Sequence, residues 1–201
     1  MVQQDHDSGK YRLGLAIVRF GGQAEKTLAL RSIAFPELEG VARSLKETTT
    51  LGVLQGDSVI TFVWSDASGM RHDRKRTYLP LHATAPGKVL LSNRPERELV
   101  RLARIGFKPY TSHAIVGVDL LLEEIARVRR RGFATAFGEY EPAVNAVAMP
   151  VFDQRGSVVA ALEVKAPSNR LQPSRVPQLI ERMRDAVAAI TEQIGGVAAS
   201  N

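Results

Sequence analysis

Residues 145–165 read NAVAMPVFDQRGSVVAALEVK. Two apolar runs, 145–153 and 157–165, flank the polar turn Gln154-Arg155-Gly156, and this pattern predicts an antiparallel hairpin. Upstream, residues 119–131 (DLLLEEIARVRRR) set Leu121, Leu122, Ile125 and Val128 on one side, with acidic residues early, arginines late and Gly132 at the end. That order predicts a helix whose charges complement its dipole. Residues 133–137 lie between helix and hairpin and read as a short strand. Downstream, residues 174–194 carry Ile180, Met183, Val187, Ile190 and Ile194, a helical stripe that must bury against a sheet or another helix.

The amino-terminal half continues the alternation. In residues 32–46 (SIAFPELEGVARSLK), Leu38, Val41, Ala42 and Leu45 recur at i, i+3, i+4 and i+7, and Pro36 suits a first helical turn. Before it, Gly21-Gly22 interrupts the apolar run 15–18. Residues 48–55 and 58–65 are rich in Thr, Val, Ile, Phe and Trp around Gly56-Asp57, a hairpin signal. Residues 66–75 are polar and turn-rich, and 76–81 can pair as a further strand. Thr84 is placed to cap a short helix ending near Ser92, and 95–105 reads as a second helix. Helix, strands, helices, strands, helix is an α+β order, expected to give a central antiparallel sheet flanked by helices.

Composition narrows the chemistry. The chain has 201 residues, 44% of them hydrophobic, enough to bury a sizeable core. Its 27 Lys and Arg against 21 Asp and Glu leave a formal charge of +6, compatible with acidic ligands or nucleic acid but diagnostic of neither. No cysteine is present, which removes disulfides, thiolate metal sites and thiol nucleophiles. With a polar amino terminus and no long apolar run, a cytoplasmic protein without membrane contact is expected. The 4 histidines (His6, His72, His82 and His113) are scattered, so no metal site or cofactor is expected. Pro86-Gly87-Lys88 resembles the end of a phosphate loop, but His82 stands where that loop needs its first glycine and Val89 where it needs Ser or Thr. No GxSxG elbow and no GxGxxG turn occurs. Glu139, Glu141 and Glu163 are the carboxylates that could serve as acid and base, and solvation or ion pairing explains such residues equally. The arginines at 127–131 suit a helix carboxyl terminus better than a nucleic-acid contact.

Three stretches together resemble the IclR family of bacterial transcriptional regulators: YRLG at 11–14, LPLHATAPGKVLLS at 79–92, and RRRGFATAFGEYEPAVNAVAMPVFDQRGSVVAALEVKAPSNRL at 129–171. The resemblance is to the carboxy-terminal effector-binding domain and spans about residues 27–194. It implies a GAF-like domain over 27–201, preceded at 1–26 by a remnant of a wing strand and linker helix. It further implies a homodimer or homotetramer that reaches operator DNA only through a winged helix-turn-helix lying outside this chain.

The resemblance also implies a pocket for a small organic acid between the sheet and the helix that starts at residues 82–88. A helix amino terminus offers free N–H groups and partial positive charge. Thr84 would be the cap and Ala85 the first donor, while Pro86 removes a second donor and weakens anion capture. The apolar wall carries over to Leu79, Val144 and Ala146. Ala136 matches a position that is polar or acidic in some relatives, which implies a larger or less polar ligand. Glu163 and Lys165 match floor positions that carry small hydroxyl residues in relatives. Being two apart on a strand, they share a face. Either both face inward, with Lys165 restoring the lost anion contact and Glu163 pairing it or accepting from a ligand hydroxyl, or both face solvent while Leu162 and Val164 fill the core. His82 is open between a ligand donor and a partner for a loop carbonyl.

The function implied is a small-molecule sensor, aromatic or hydroxylated acids included, that passes ligand binding to a DNA-binding head without performing chemistry. Two alternatives stand beside it: an enzyme on a GAF-like scaffold using Glu139 or Glu163, and a headless sensor acting through protein contacts.

Overall fold

The computed structural model describes residues 2–4, 11–13, 16–68, 70–72 and 77–195. Strands β1 (Val2–Gln4) and β2 (Tyr11–Leu13) pair with each other antiparallel, apart from the main sheet. Helix α1 (Ala16–Leu45) leads into the hairpin β3 (Thr48–Gln55) and β4 (Ser58–Ser65), then β5 (Arg71–His72) and β6 (Thr77–Pro80). Three helices follow, α2 (Ala85–Ser92), α3 (Glu96–Ile105) and α4 (Val118–Arg131). Strands β7 (Ala134–Phe137), β8 (Val144–Phe152) and β9 (Val158–Pro167), a short 3-10 turn and α5 (Val176–Gln193) complete the chain. The main sheet is antiparallel throughout, ordered β5-β4-β3-β9-β8-β7, with β6 sharing the outer edge of β4 with β5. The β3–β9 pairing thus joins the two halves of the chain.

The period-two alternation of β8 and β9 sorts their side chains between two cores. Val147, Val151, Leu162, Val164 and Ala166 face one way and pack with Leu38, Val41 and Leu45 of α1 and Leu179, Met183 and Ile190 of α5. Ala146, Ala148 and Ala161 face the other way, with Ala134 and Ala136 of β7, and pack beneath Val89 and Leu90 of α2 and Ile125 and Val128 of α4. The sheet is therefore a middle layer between α1 and α5 on one face and α2 and α4 on the other. This is the helix-flanked α+β arrangement that the order of elements predicts.

Both hairpins fall at the expected turns. Gly56 sits at φ +59 between β3 and β4, and Gly132 closes α4 at φ +74. Three readings are corrected. Helix α1 begins at Ala16 rather than near Ser32, so Gly21 and Gly22 lie inside it. Pro36 sits in its interior rather than its first turn. An interior proline costs about 3 kcal/mol, whereas burying each of Leu30, Leu38, Val41 and Leu45 against the sheet and α5 contributes about 1.5–3 kcal/mol, so packing decides. The buried stripe of α5 runs through Val176, Leu179, Met183, Ala186, Val187 and Ile190, which bears out Met183, Val187 and Ile190 and leaves Ile180 and Ile194 half-buried at its margin. Residues 73–76, read as part of a basic turn, lie outside the described residues. Among the described residues no helix is long and apolar enough to cross a membrane.

Candidate effector cavity

Two rows of register partners cross the α2 face of the sheet. Ala136, Ala146, Lys165 and Thr48 are successive partners on β7, β8, β9 and β3, and Ala134, Ala148, Glu163 and Thr50 form the adjacent row. Alanines at β7 and β8 leave a hollow that larger side chains would fill, and β9 supplies its charged groups. Above the first row lies a cavity of about 250 Å³. Its floor is Thr48, Ala136, Ala146, Glu163 and Lys165. One wall is Leu79 with Ala83, Thr84 and Ala85, and the other is Tyr140, Glu141 and Val144, with Ala166 and Pro167 at the end of β9. Leu79, Thr84, Ala85, Ala136, Val144, Ala146, Glu163 and Lys165 thus meet around one space.

Pro86, expected among them, does not line the cavity. It is buried as the second residue of α2 and lies beside β3, where a β-carbon added to Gly52 would stand 3.6 Å from that of Pro86. The neighbouring Gly87 passes so close to the chain behind it that an added β-carbon would meet the Leu81 carbonyl oxygen at 2.2 Å. Close packing, not phosphate binding, explains a glycine here. Thr84 caps α2: its hydroxyl donates to the Pro80 carbonyl at 2.6 Å and accepts from the Gly87 amide at 3.3 Å. With Pro86 lacking an N–H, the Ala85 amide is the donor this turn can offer to a ligand.

Glu163 and Lys165 face inward. Glu163 is 4% exposed, and the Thr50 hydroxyl donates to its carboxylate at 2.7 Å. Burial pushes its pKa up, and Glu141 adds to this, against the opposing pull of Lys165 and the Thr50 hydrogen bond. No carboxylate among the described residues lies within ion-pairing distance of the Lys165 ammonium. The cavity therefore offers one cation, Lys165, and two carboxyls, Glu163 on the floor, biased towards its neutral form, and Glu141 on the wall, set among otherwise largely apolar surfaces.

His82 takes the structural alternative. Its Nε2 donates to the Lys108 carbonyl at 3.1 Å, and its ring stacks on Phe107 at 4.4 Å between centroids. Burial lowers its pKa, the Lys108 carbonyl opposing and the Lys88 charge assisting, so the ring is neutral at pH 7. His113 contributes a backbone N–H to the Thr111 hydroxyl.

One group was missed in the sequence. Lys88 is 2% exposed, and its ammonium donates to the Glu139 carboxylate at 2.6 Å and the Thr135 carbonyl at 3.0 Å, with Glu124 at 3.9 Å. Glu124 is in turn bonded by Arg127 and Arg131. The available signal was the setting: α2 is apolar on all sides, and a lysine inside such a helix must be paired. Glu139, considered as an acid or base, is thus committed to an ion pair, and burial raises its pKa against the pull of Lys88.

Comparison with known proteins accords with this layout. The family described as Bacterial transcriptional regulator IclR C-terminal matches residues 22–192. The HTH-type transcriptional regulator KdgR of Dickeya chrysanthemi is 31% identical over 197 residues, covering 96% of this chain and 65% of its own length. The chain thus spans just under two thirds of that relative. The crystal structure of the C-terminal domain of Escherichia coli KdgR superposes with a TM-score of 0.75 at 30% identity, covering 83% of this chain and 99% of that one. The inducer-binding domain of the PobR transcription factor from Acinetobacter, a double mutant in complex with 3-hydroxybenzoic acid, gives a TM-score of 0.72 at 26% identity, covering 80% and 97%. These relatives are transcriptional regulators rather than enzymes. The chain belongs to the IclR family of bacterial transcriptional regulators, whose C-terminal, effector-binding domain it matches.

Proposed function

We propose that this domain senses a small organic acid, aromatic acids included, in the cavity between α2 and the sheet, and passes its occupancy to a DNA-binding head through a homodimer or homotetramer. The observation that carries the reading is Lys165, a cation without an ion-pair partner among the described residues, at the floor of an otherwise largely apolar cavity. A carboxylate ligand supplies Lys165 with a full counter-charge, which Glu163, pushed towards its neutral form by burial, supplies only in part, and the Ala85 amide at the start of α2 adds a second contact. Leu79, Thr84, Ala136, Val144 and Ala146 supply the surface for the body of the ligand, and Glu163 a partner for a ligand hydroxyl. The 3-hydroxybenzoic acid in the PobR complex belongs to this class of ligand.

A route to the head begins at β3. Thr48 lines the cavity, whereas Thr49 on the opposite face donates to the Leu38 carbonyl of α1 at 2.8 Å. A ligand that shifts β3 therefore acts directly on the helix that leads towards the amino-terminal remnant, and works by its differential affinity for two conformations.

Thermal unfolding of the purified chain against a panel of small organic acids tests the reading. An acid at a hundred times its Kd stabilises by about 2.7 kcal/mol, a shift of about 5–10 °C for a domain of this size. A saturable shift of that order is expected. A panel in which no acid moves the transition contradicts the reading.

A further inference from the structure

We infer that Lys88 is the positioning residue of the cavity, tying the loop that forms one wall to the helix that forms the other. The inference rests on the reading of this cavity as the effector site. Helix α2 contributes Thr84 and Ala85 to one wall, and the loop after β7 contributes Tyr140 and Glu141 to the other. Lys88 lies one turn into α2 and spans the distance between them, bonding Glu139 at 2.6 Å, the residue before Tyr140, and the Thr135 carbonyl at 3.0 Å, the residue before the floor alanine Ala136. One ammonium thus fixes helix, strand and loop relative to each other.

The loop leaves β7 through Gly138 at φ +61, a conformation that favours glycine; its own backbone closes it through the Gly138 amide on the Val144 carbonyl at 3.1 Å and the Val144 amide on the Glu141 carbonyl at 3.0 Å, and outside contacts fix where it sits. Thr111 supplies one by donating to the carbonyls of Gly138 at 2.7 Å and Glu139 at 3.0 Å. Tyr110 supplies another, packed edge-on to Tyr140 with centroids 4.9 Å apart. Both come from the segment between α3 and α4. Lys88 holds the loop from α2, and does so with a directed, charged bond where an apolar side chain would only fill space. The second oxygen of Glu139, Oε2, is buried without a hydrogen-bond partner, and Lys88 compensates the carboxylate more than the backbone of Phe137 does.

The test separates positioning from mere stability. Lys88→Met leaves Glu139 buried without its partner, and a loss of thermal stability is expected. In Lys88→Met/Glu139→Gln both charges are gone at similar volume, and stability recovers towards wild type. In that stable double variant the amides of residues 138–141 are expected to exchange with solvent at least tenfold faster than in the wild-type chain, with the amides of β8 and β9 unchanged. The Kd for 3-hydroxybenzoate is expected to rise at least tenfold. Wild-type exchange rates in the loop, or a wild-type Kd once stability has recovered, overturn the inference. If the wild-type chain binds neither this acid nor any other of the panel, that counts against the effector reading, and the exchange comparison, which needs no ligand, still decides the role of Lys88. Glu139→Gln alone carries the same comparison if the double variant does not fold.

Discussion

Glu163 and Lys165 show how two residues of one strand can be read from sequence while a third charged group escapes. Their two-residue spacing puts them on one face, and the sequence left open only which face; the alanines at Ala136, Ala146 and Ala148 decided it by leaving room on the α2 side. Lys88 could not be found this way, because its partners Glu139, Thr135 and Glu124 are 51, 47 and 36 residues distant and become neighbours only in the fold. The raised pKa of Glu163 carries a prediction. An acid whose folded-state pKa is raised favours the folded state below its ordinary carboxylate range, and that stability is lost as pH rises through the folded value. Glu163→Gln keeps an oxygen for the Thr50 hydroxyl and has no charge to bury. The variant is expected to be more stable than wild type at pH 8, by about 1–3 kcal/mol, and equal to it near pH 4. Urea unfolding at both pH values checks this, and a variant less stable at pH 8 contradicts it.

The joint between α1 and β3 shows the opposite sign. Glu47, between the two elements, has a side chain 2% exposed, bonded by Arg170 at 2.9 and 3.2 Å and by Arg175 at 2.7 Å. Arg175 also donates to the Leu45 carbonyl near the end of α1 at 3.0 Å. Burial alone would raise the pKa of Glu47, but the hydrogen bonds and charges of both arginines outweigh it and the net shift is downward. Stability from this carboxylate is therefore present above its ordinary range and is lost as pH falls through the folded value. Glu47→Gln is expected to cost about 1–3 kcal/mol at pH 7, a difference that shrinks at acidic pH as wild-type Glu47 protonates. A cost that stays constant with pH contradicts the assignment. This clamp was invisible in the sequence, whereas the adjacent β3–β4 hairpin was legible to the residue because Gly56-Asp57 fixes a two-residue turn. The start of α1 was misread because Gly21-Gly22 and Pro36 are local breakers, and local rules do not count the burial of Leu30, Leu38, Val41 and Leu45.

At the scale of the whole molecule, the sheet divides two jobs. One face is a close-packed core with α1 and α5, and the other carries α2, α4 and the cavity, so that the cavity lies on the side of the sheet opposite the helix leading to the amino terminus. Strand β3 touches both through Thr48 and Thr49, and β9 holds the charged floor in the middle of the sheet, where β3 and β8 fix its register. The layered arrangement was legible from the order of elements and from periodicity. The contents of the cavity were legible only in part, since resemblance brought most of its lining together but counted Pro86 at the helix start among the site residues, passed over Tyr140 and Glu141 as wall residues, and missed Lys88 behind them. The central claim is that the cavity binds an organic acid through Lys165. Calorimetric titration of 3-hydroxybenzoate, or of whichever panel acid stabilises the chain most, into wild type and Lys165→Ala tests it most directly. Loss of a charge-assisted contact worth about 1.5–3 kcal/mol predicts a Kd larger by roughly 10–150-fold in the variant, with its unfolding temperature little changed. An unchanged Kd would contradict the claim.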